Sequence, residues 1–259
     1  MRRRPNWFAG GIALALAFGL AACGSEASAL EQTEDNMAKL KAATIDLRLA
    51  ASSGADNSET GPVGFRMKGP FELSPDHDLA VFNLTYTQLL GSNSRTTQVR
   101  STGETAFVTT GGKVYRVADD DLAPLKVSDD AKGGFGDLGI AGWVTDAKVR
   151  SGKTVDGERT DVITGKVDAA DLLSDLARVA GPLGGDNELA ALDDAAGKRL
   201  QRLVRASTIE VVTGAKDRQL RSLHAVVDFG TRAPKELRKS LGAYADARIE
   251  VQLTLDKVR

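Results

Sequence analysis

Cysteine occurs once and histidine twice in the 259 residues, and aromatic side chains make up only 5% of them. A single Cys excludes an internal disulfide and any multi-cysteine zinc site. His77 and His224 alone leave imidazole metal sites and Ser-His-Asp triads almost no material. Charge of one sign is also missing. The 34 Lys and Arg face 35 Asp and Glu, whereas a nucleic acid partner ordinarily calls for a basic excess. There is no G-x-S-x-G elbow and no H-E-x-x-H helix. These shortages point away from an enzyme, a metal, a cofactor and nucleic acid. What remains, 42% hydrophobic and 27% charged, is the composition of a globular chain long enough to bury a sizeable core.

The N-terminus is the most specific segment. Arg2, Arg3 and Arg4 precede the apolar stretch Phe8–Ala22, and the next charge is Glu26. A basic cap, a short apolar run and small residues at its exit form an export signal. The uncharged run Pro5–Ser25 also reaches 21 residues, and roughly 20 suffice to cross a bilayer. Its second half, however, is rich in Ala and Gly and ends in Leu20-Ala21-Ala22-Cys23-Gly24. That ending resembles the bacterial lipobox, whose Cys is diacylated and becomes the first mature residue. The reading is therefore a lipoprotein signal peptide over 1–22, lipidation at Cys23, a small polar tether over 23–30 and one domain over 31–259. Loss of the leader removes three arginines and leaves the mature chain slightly acidic. Two or three acyl chains suffice for stable anchoring at a membrane surface.

The mature chain is mostly strand-like. A first helix is expected over Leu30–Ala42, with Met37 and Leu40 on one face. From Thr44 the period is two: Ile45, Leu47 and Leu49 alternate with Asp46 and Arg48. Val63, Phe65, Met67, Phe71 and Leu73 continue it, with Gly69-Pro70 suggesting a bulge or an edge strand. Phe82, Leu84 and Tyr86 share a side, Thr96–Ser101 is a polar strand around Val99, and Gly111-Gly112 closes a compact hairpin. A short helix fits near Leu138–Val144, and Thr160–Val167 is a strand. Asp168 with Asp171 three residues on has the spacing of a helix start, followed by Leu172, Leu173, Leu176 and Val179 up to Gly181-Pro182. A second helix is expected over Asn187–Val204, carrying Leu189 and Leu192. Strands return over Ser207–Thr213, Leu220–Phe229 and Arg248–Val258. About nine antiparallel strands with a helical pair predict an α+β fold, one curved sheet over helices.

The order of lipobox, N-terminal helix, successive antiparallel strands, Gly111-Gly112 hairpin, Asp168-Ala-Ala-Asp171-Leu-Leu helix and closing strands resembles the LppX/LprG lipoprotein family of actinobacteria. That family's fold is similar to the periplasmic carriers LolA and LolB. The resemblance implies a half-barrel sheet with helices on its concave face and an apolar cavity between them for the acyl chains of a lipid or lipoglycan. It further implies a carrier or presenter of that lipid in the cell envelope, anchored at the outer face of the cytoplasmic membrane and served by an envelope transporter. Candidate lining residues are Phe82 and Leu84 on a strand, Trp143, and Leu172, Leu173, Leu176, Leu189 and Leu192 on the helices. The other reading is a structural or regulatory envelope lipoprotein that holds a protein partner on the curved sheet.

Other patterns carry less. Gly134-Phe-Gly136-Asp-Leu-Gly139 spells a dinucleotide fingerprint, but no apolar strand precedes it. Asp76-His77-Asp78 follows a Ser-Pro turn, and neighbours on extended backbone point to opposite sides. Asp119–Asp121 and Asp129-Asp130 lack the spaced ligands of a calcium loop. The basic groups Lys198, Arg199, Arg202, Arg205 and Arg232, Lys235, Arg238, Lys239 suit a helix exterior or anionic headgroups.

Overall fold

A computed structural model describes residues 23–53, 61–74, 76–122, 138–155, 157–180, 194–230 and 247–259. In chain order the elements are α1 (Cys23–Met37), β1 (Ala42–Ser53), β2 (Val63–Glu72), β3 (Val81–Leu90), β4 (Asn93–Thr102), β5 (Ala106–Thr110), β6 (Lys113–Arg116), α2 (Asp119–Leu122), α3 (Ile140–Trp143), β7 (Val144–Ser151), β8 (Thr160–Val167), α4 (Ala169–Ala180), α5 (Asp194–Leu203), β9 (Ala206–Gly214), β10 (Leu220–Gly230) and β11 (Ala247–Asp256). All eleven strands form one antiparallel sheet in the order β6-β5-β4-β3-β2-β1-β11-β10-β9-β8-β7. The last strand, β11, pairs with both β1 and β10 and so joins the two runs of strands. Strands β6 and β7 are left as edges and the sheet is open, as expected for a half-barrel.

Alternation decides which side of the sheet is core. On β1 and β11 the register sets Ile45 opposite Leu255, Leu47 opposite Leu253 and Leu49 opposite Val251. Each pair faces inward, and β11 alternates buried and exposed positions along its whole length. The outward rows are polar. There Arg66 and Lys68 bind Asp46, while Arg48 binds Glu250. Helices α1 and α3 pack against β7, and α1 also against β10. Helix α1 is fixed by Ala29, Leu30, Thr33 and Met37, whose spacing puts them on one buried face. The Thr33 hydroxyl donates to the Ala29 carbonyl and meets the Thr213 hydroxyl of β9 at 3.1 Å.

Several expectations need correction. The first helix begins at Cys23 and ends at Met37, so the segment 23–30 is helical, with Ala29 and Leu30 in the core. Small residues there read as a linker by composition, yet Leu30 anchors them. The described residues hold eleven strands, not about nine. Strand β7 escapes a period-two reading because its register shifts between Thr145 and Lys148, where Asp146 adopts a φ of 55°. Gly69-Pro70 lies inside a central strand, paired with β1 without a register shift. Gly69 has a φ of 148°, and a Cβ there would collide with the Asn83 carbonyl oxygen of β3. The Gly111-Gly112 hairpin is as expected, with both residues at positive φ.

Candidate functional site

The inner face is covered unequally. On β8 to β11 the inward residues Ile163, Ile209, Val211, Leu223, Ala225, Val227, Ile249 and Val251 are all buried and join one core with Trp143, Leu172, Leu173 and Leu200 of the helices. The same core reaches Phe71 and Leu84 on β2 and β3, with Val63, Met67 and Phe82 packed at its margin. Beyond that margin the inward side chains continue apolar but lie only half-buried: Phe65, Tyr86, Val99 and Val108. Register places Met67 beside Tyr86, Leu84 beside Val99, Val99 beside Val108 and Val108 beside Tyr115. The Phe65 and Tyr86 rings stack at 5.9 Å. Leu90 and Tyr115 extend the face and are 48% and 52% exposed. This is a contiguous apolar surface on an ordered sheet, the kind of area that water leaves readily when an apolar partner arrives.

A separate cleft of about 820 Å³ opens where β1 begins and β2 ends. Outward Glu72, Asn83 and Arg100 line it with Lys257 and Arg259 of the tail, and Phe71 and Phe82 contribute from the inward row. Among the expected lining residues that are described, Phe82 alone reaches this cleft, while Leu84 lies two residues on along the same inward face. Trp143, Leu172 and Leu173 are buried in the helix-covered half, and Leu176 is half-buried on α4. Leu189 and Leu192 lie outside the described residues, as does most of Gly134–Gly139. The sequence reading did not single out Phe65, Met67, Tyr86, Val99 and Val108 as ligand contacts. Alternation marks them as inward, but nothing in it tells which inward positions a helix covers.

The polar groups near the core serve structure. The predicted helix start is present: Asp168 Oδ1 accepts from the Ala170 and Asp171 amides at the head of α4. Asp175 is 8% exposed, and its Oδ2 accepts from Trp143 Nε1 at 2.8 Å and from the Gly139 amide at 2.9 Å. Its other oxygen pairs with Arg178 at 2.8 Å. Burial, with Asp168 and Asp175 nearby, raises the Asp171 carboxyl above its ordinary value. On the outward face, burial pushes Glu250 up, but hydrogen bonds from His224, Arg48 and Gln252 outweigh it and hold the carboxyl below its ordinary value. His224 is thus an exposed partner of Glu250, with Nε2 at 2.8 Å from Oε1. His77 packs against Gly103. Among the described residues no group of His, Cys, Asp and Glu could hold a metal ion, and no helix is long and apolar enough to cross a membrane.

No family model matches the chain, and no curated protein matches it in sequence. Solved structures to which it is similar in fold include LprF from Mycobacterium bovis, at 14% identity and a TM-score of 0.49 over 92% of this chain and 94% of that one. Another is the lipoprotein LppX from Mycobacterium tuberculosis, at 14% identity and a TM-score of 0.42 over 91% and 95%. A LolA superfamily protein from Nitrosomonas europaea follows at 9% identity and a TM-score of 0.23 over 90% and 92%. Likenesses at these values concern shape and carry no function to this chain.

Proposed function

We propose that this chain is an exported lipoprotein, acylated at Cys23, that takes the acyl chains of a lipid or lipoglycan on the inner face of β2–β6. It carries or presents that lipid in the cell envelope, at the outer face of the cytoplasmic membrane, without covalent chemistry. The observation that supports the reading is the half-buried apolar run Phe65, Tyr86, Val99 and Val108, continuous with a closed core on one side and open on the other. Each methylene moved from water onto such a face contributes roughly 0.8 kcal/mol, so aliphatic area rather than polar recognition supplies the affinity. The Leu20-Ala21-Ala22-Cys23 ending supports the envelope location that this reading needs. Phe82 and Leu84 belong to this face. Trp143, Leu172, Leu173 and Leu176 would form the wall of packed helices beside it, with Leu189 and Leu192 as further candidates.

Native mass spectrometry of the chain purified from its host envelope tests the reading. A discrete added mass that fragments into fatty acyl chains is expected. A bare mass that persists after incubation with total host lipid would overturn it.

A second reading, a protein partner held on the sheet, has its own observation. Edge strand β6 is exposed throughout, with Val114 at 66% on one face and Tyr115 on the other. Bare mass in the spectrum together with a co-purifying envelope protein lost in Tyr115→Glu would favour it.

A further inference from the structure

We infer that the lipid taken on this face is anionic, its headgroup held by Arg95 and Lys113 and its acyl chains running toward Phe82. The inference rests on the carrier reading above and adds the class and the direction of the cargo.

It follows from where charge lies on the sheet. Strands β2–β6 contain six cations, Arg66, Lys68, Arg95, Arg100, Lys113 and Arg116, against one carboxylate, Glu72. The pairing assigns each to a face. Arg66, Lys68, Glu72, Arg100 and Arg116 share the outward rows with Asp46 and Asn83. Arg66 and Lys68 are bound there to Asp46, and Arg116 to Asp119. Arg95 stands opposite Gln88, in the row of Phe65, and Lys113 opposite Thr110, in the row of Tyr86. These two are the charged residues of the inward face of β2–β6, and both are positive. Both are exposed, and among the described residues neither makes an ion pair.

The inward face is therefore graded along the strands. At one end Phe71 and Phe82 sit beside buried Ser101 and Ala106; next come Leu84, Val99 and Val108; then Tyr86 with Thr97, Thr110 and Lys113; then Gln88 with Arg95, before Val63, Leu90 and Asn93 end the face. Six residue steps lead from Arg95 to Ser101, so this part of the face is about 20 Å long at a strand rise near 3.4 Å per residue. A neutral amphiphile would gain nothing from two cations at one end. A phosphate would gain charge-assisted hydrogen bonds there, from the planar fork of Arg95 and the mobile ammonium of Lys113. Among the described residues no carboxylate on this face opposes the anion.

Two lipids with identical chains separate headgroup from tail. The acylated chain in mild detergent is offered equimolar dipalmitoyl phosphatidylglycerol and dipalmitoylglycerol, and the bound masses are read by native mass spectrometry. Roughly tenfold preference for the anionic lipid is expected, from two cations each contributing modestly near an anionic headgroup. In Arg95→Gln/Lys113→Gln the anionic lipid should fall to the level of dipalmitoylglycerol, while Arg95→Lys/Lys113→Arg should keep most of the preference. Thermal unfolding checks that these exposed replacements leave the fold intact. Equal retention of both lipids by the unaltered chain would overturn the anionic assignment and leave the carrier reading standing. Retention of neither would remove both. A third arm adds excess glycerol phosphate. Failure to displace the lipid is expected, and displacement would assign the two cations to free phosphate esters and overturn the headgroup assignment.

Discussion

On β10 and β11 the inward residues Leu223, Ala225, Val227, Ile249, Val251 and Leu253 are all buried, whereas on β3 and β4 the same alternation leaves Tyr86 and Val99 half-exposed. The strands are of nearly equal length, 10 or 11 residues, although β4 sets Arg95 and Thr97 in its inward row and β10 is bulged. They differ in what lies above them. Trp143, Leu172, Leu173 and Leu200 close the first half, and the helix contacts gather on β7 and β10. Period-two hydrophobicity thus identifies a face that avoids water without saying whether protein or ligand covers it. On the proposed reading one sheet does both, so the two halves should respond differently to the same kind of mutation.

The largest contrast is expected in stability. Leu172→Ala, at a fully buried position, should cost about 2–5 kcal/mol in urea unfolding, against less than about 1 kcal/mol for Val99→Ala on the half-covered side. Comparable losses at the two sites would mean that both halves are closed cores. Asp175→Leu sharpens the same contrast, because it strands the Trp143 and Gly139 N–H donors at about 1–3 kcal/mol each. Asp175→Asn, which can keep an accepting oxygen, should cost less.

The reverse contrast is expected in lipid retention. Tyr86→Glu places a carboxylate in the middle of the apolar face and should abolish retained lipid while shifting Tm little. Ile163→Val, a one-methylene change in the closed half, should lower stability by about 0.5–1.5 kcal/mol and leave retention intact. Quantifying acyl chains extracted from each purified variant checks both.

The smallest effect concerns the acids of α4. The Asp171 carboxyl is raised in the fold, so its ionised form is disfavoured there and costs stability above the raised value. Asp171→Asn should therefore raise Tm slightly at pH 7, with the gain vanishing below the ordinary carboxylate range. Glu250→Gln should do the opposite. Its carboxyl is lowered in the fold, so its contribution is present above the ordinary value and is lost as pH falls through the lowered one. Thermal scans across pH distinguish the two signs.

The architecture was largely legible because strong alternation in Ile45–Leu49, Ile249–Leu255 and Leu220–Phe229 has only one reading on a sheet with one dry face. The Asp168 cap and the Gly-Gly turn were legible for the same local reasons. Strand β7 was not, since the residues around Asp146 bulge and break the period. Nor was the start of α1, because Ala29 and Leu30 gain their burial from β-strands distant in sequence. The site was the least legible part. Leu172 and Phe82 look alike as apolar residues in periodic segments, and only tertiary packing separates a closed core position from the margin of an open face. Arg95 and Lys113 carried no local signal at all, because their shared face exists only once β3 to β6 are in register.

The most direct test of the account is where an acyl chain rests. A phospholipid with a diazirine in its acyl chain is photolysed with the Cys23→Ser chain, and the labelled peptides are mapped. Labels confined to 63–67, 82–86, 95–101 and 106–110 are predicted. Labels on α4 and α5, or none above a protein without a lipid site, would contradict the claim that the inner face of β2–β6 takes lipid.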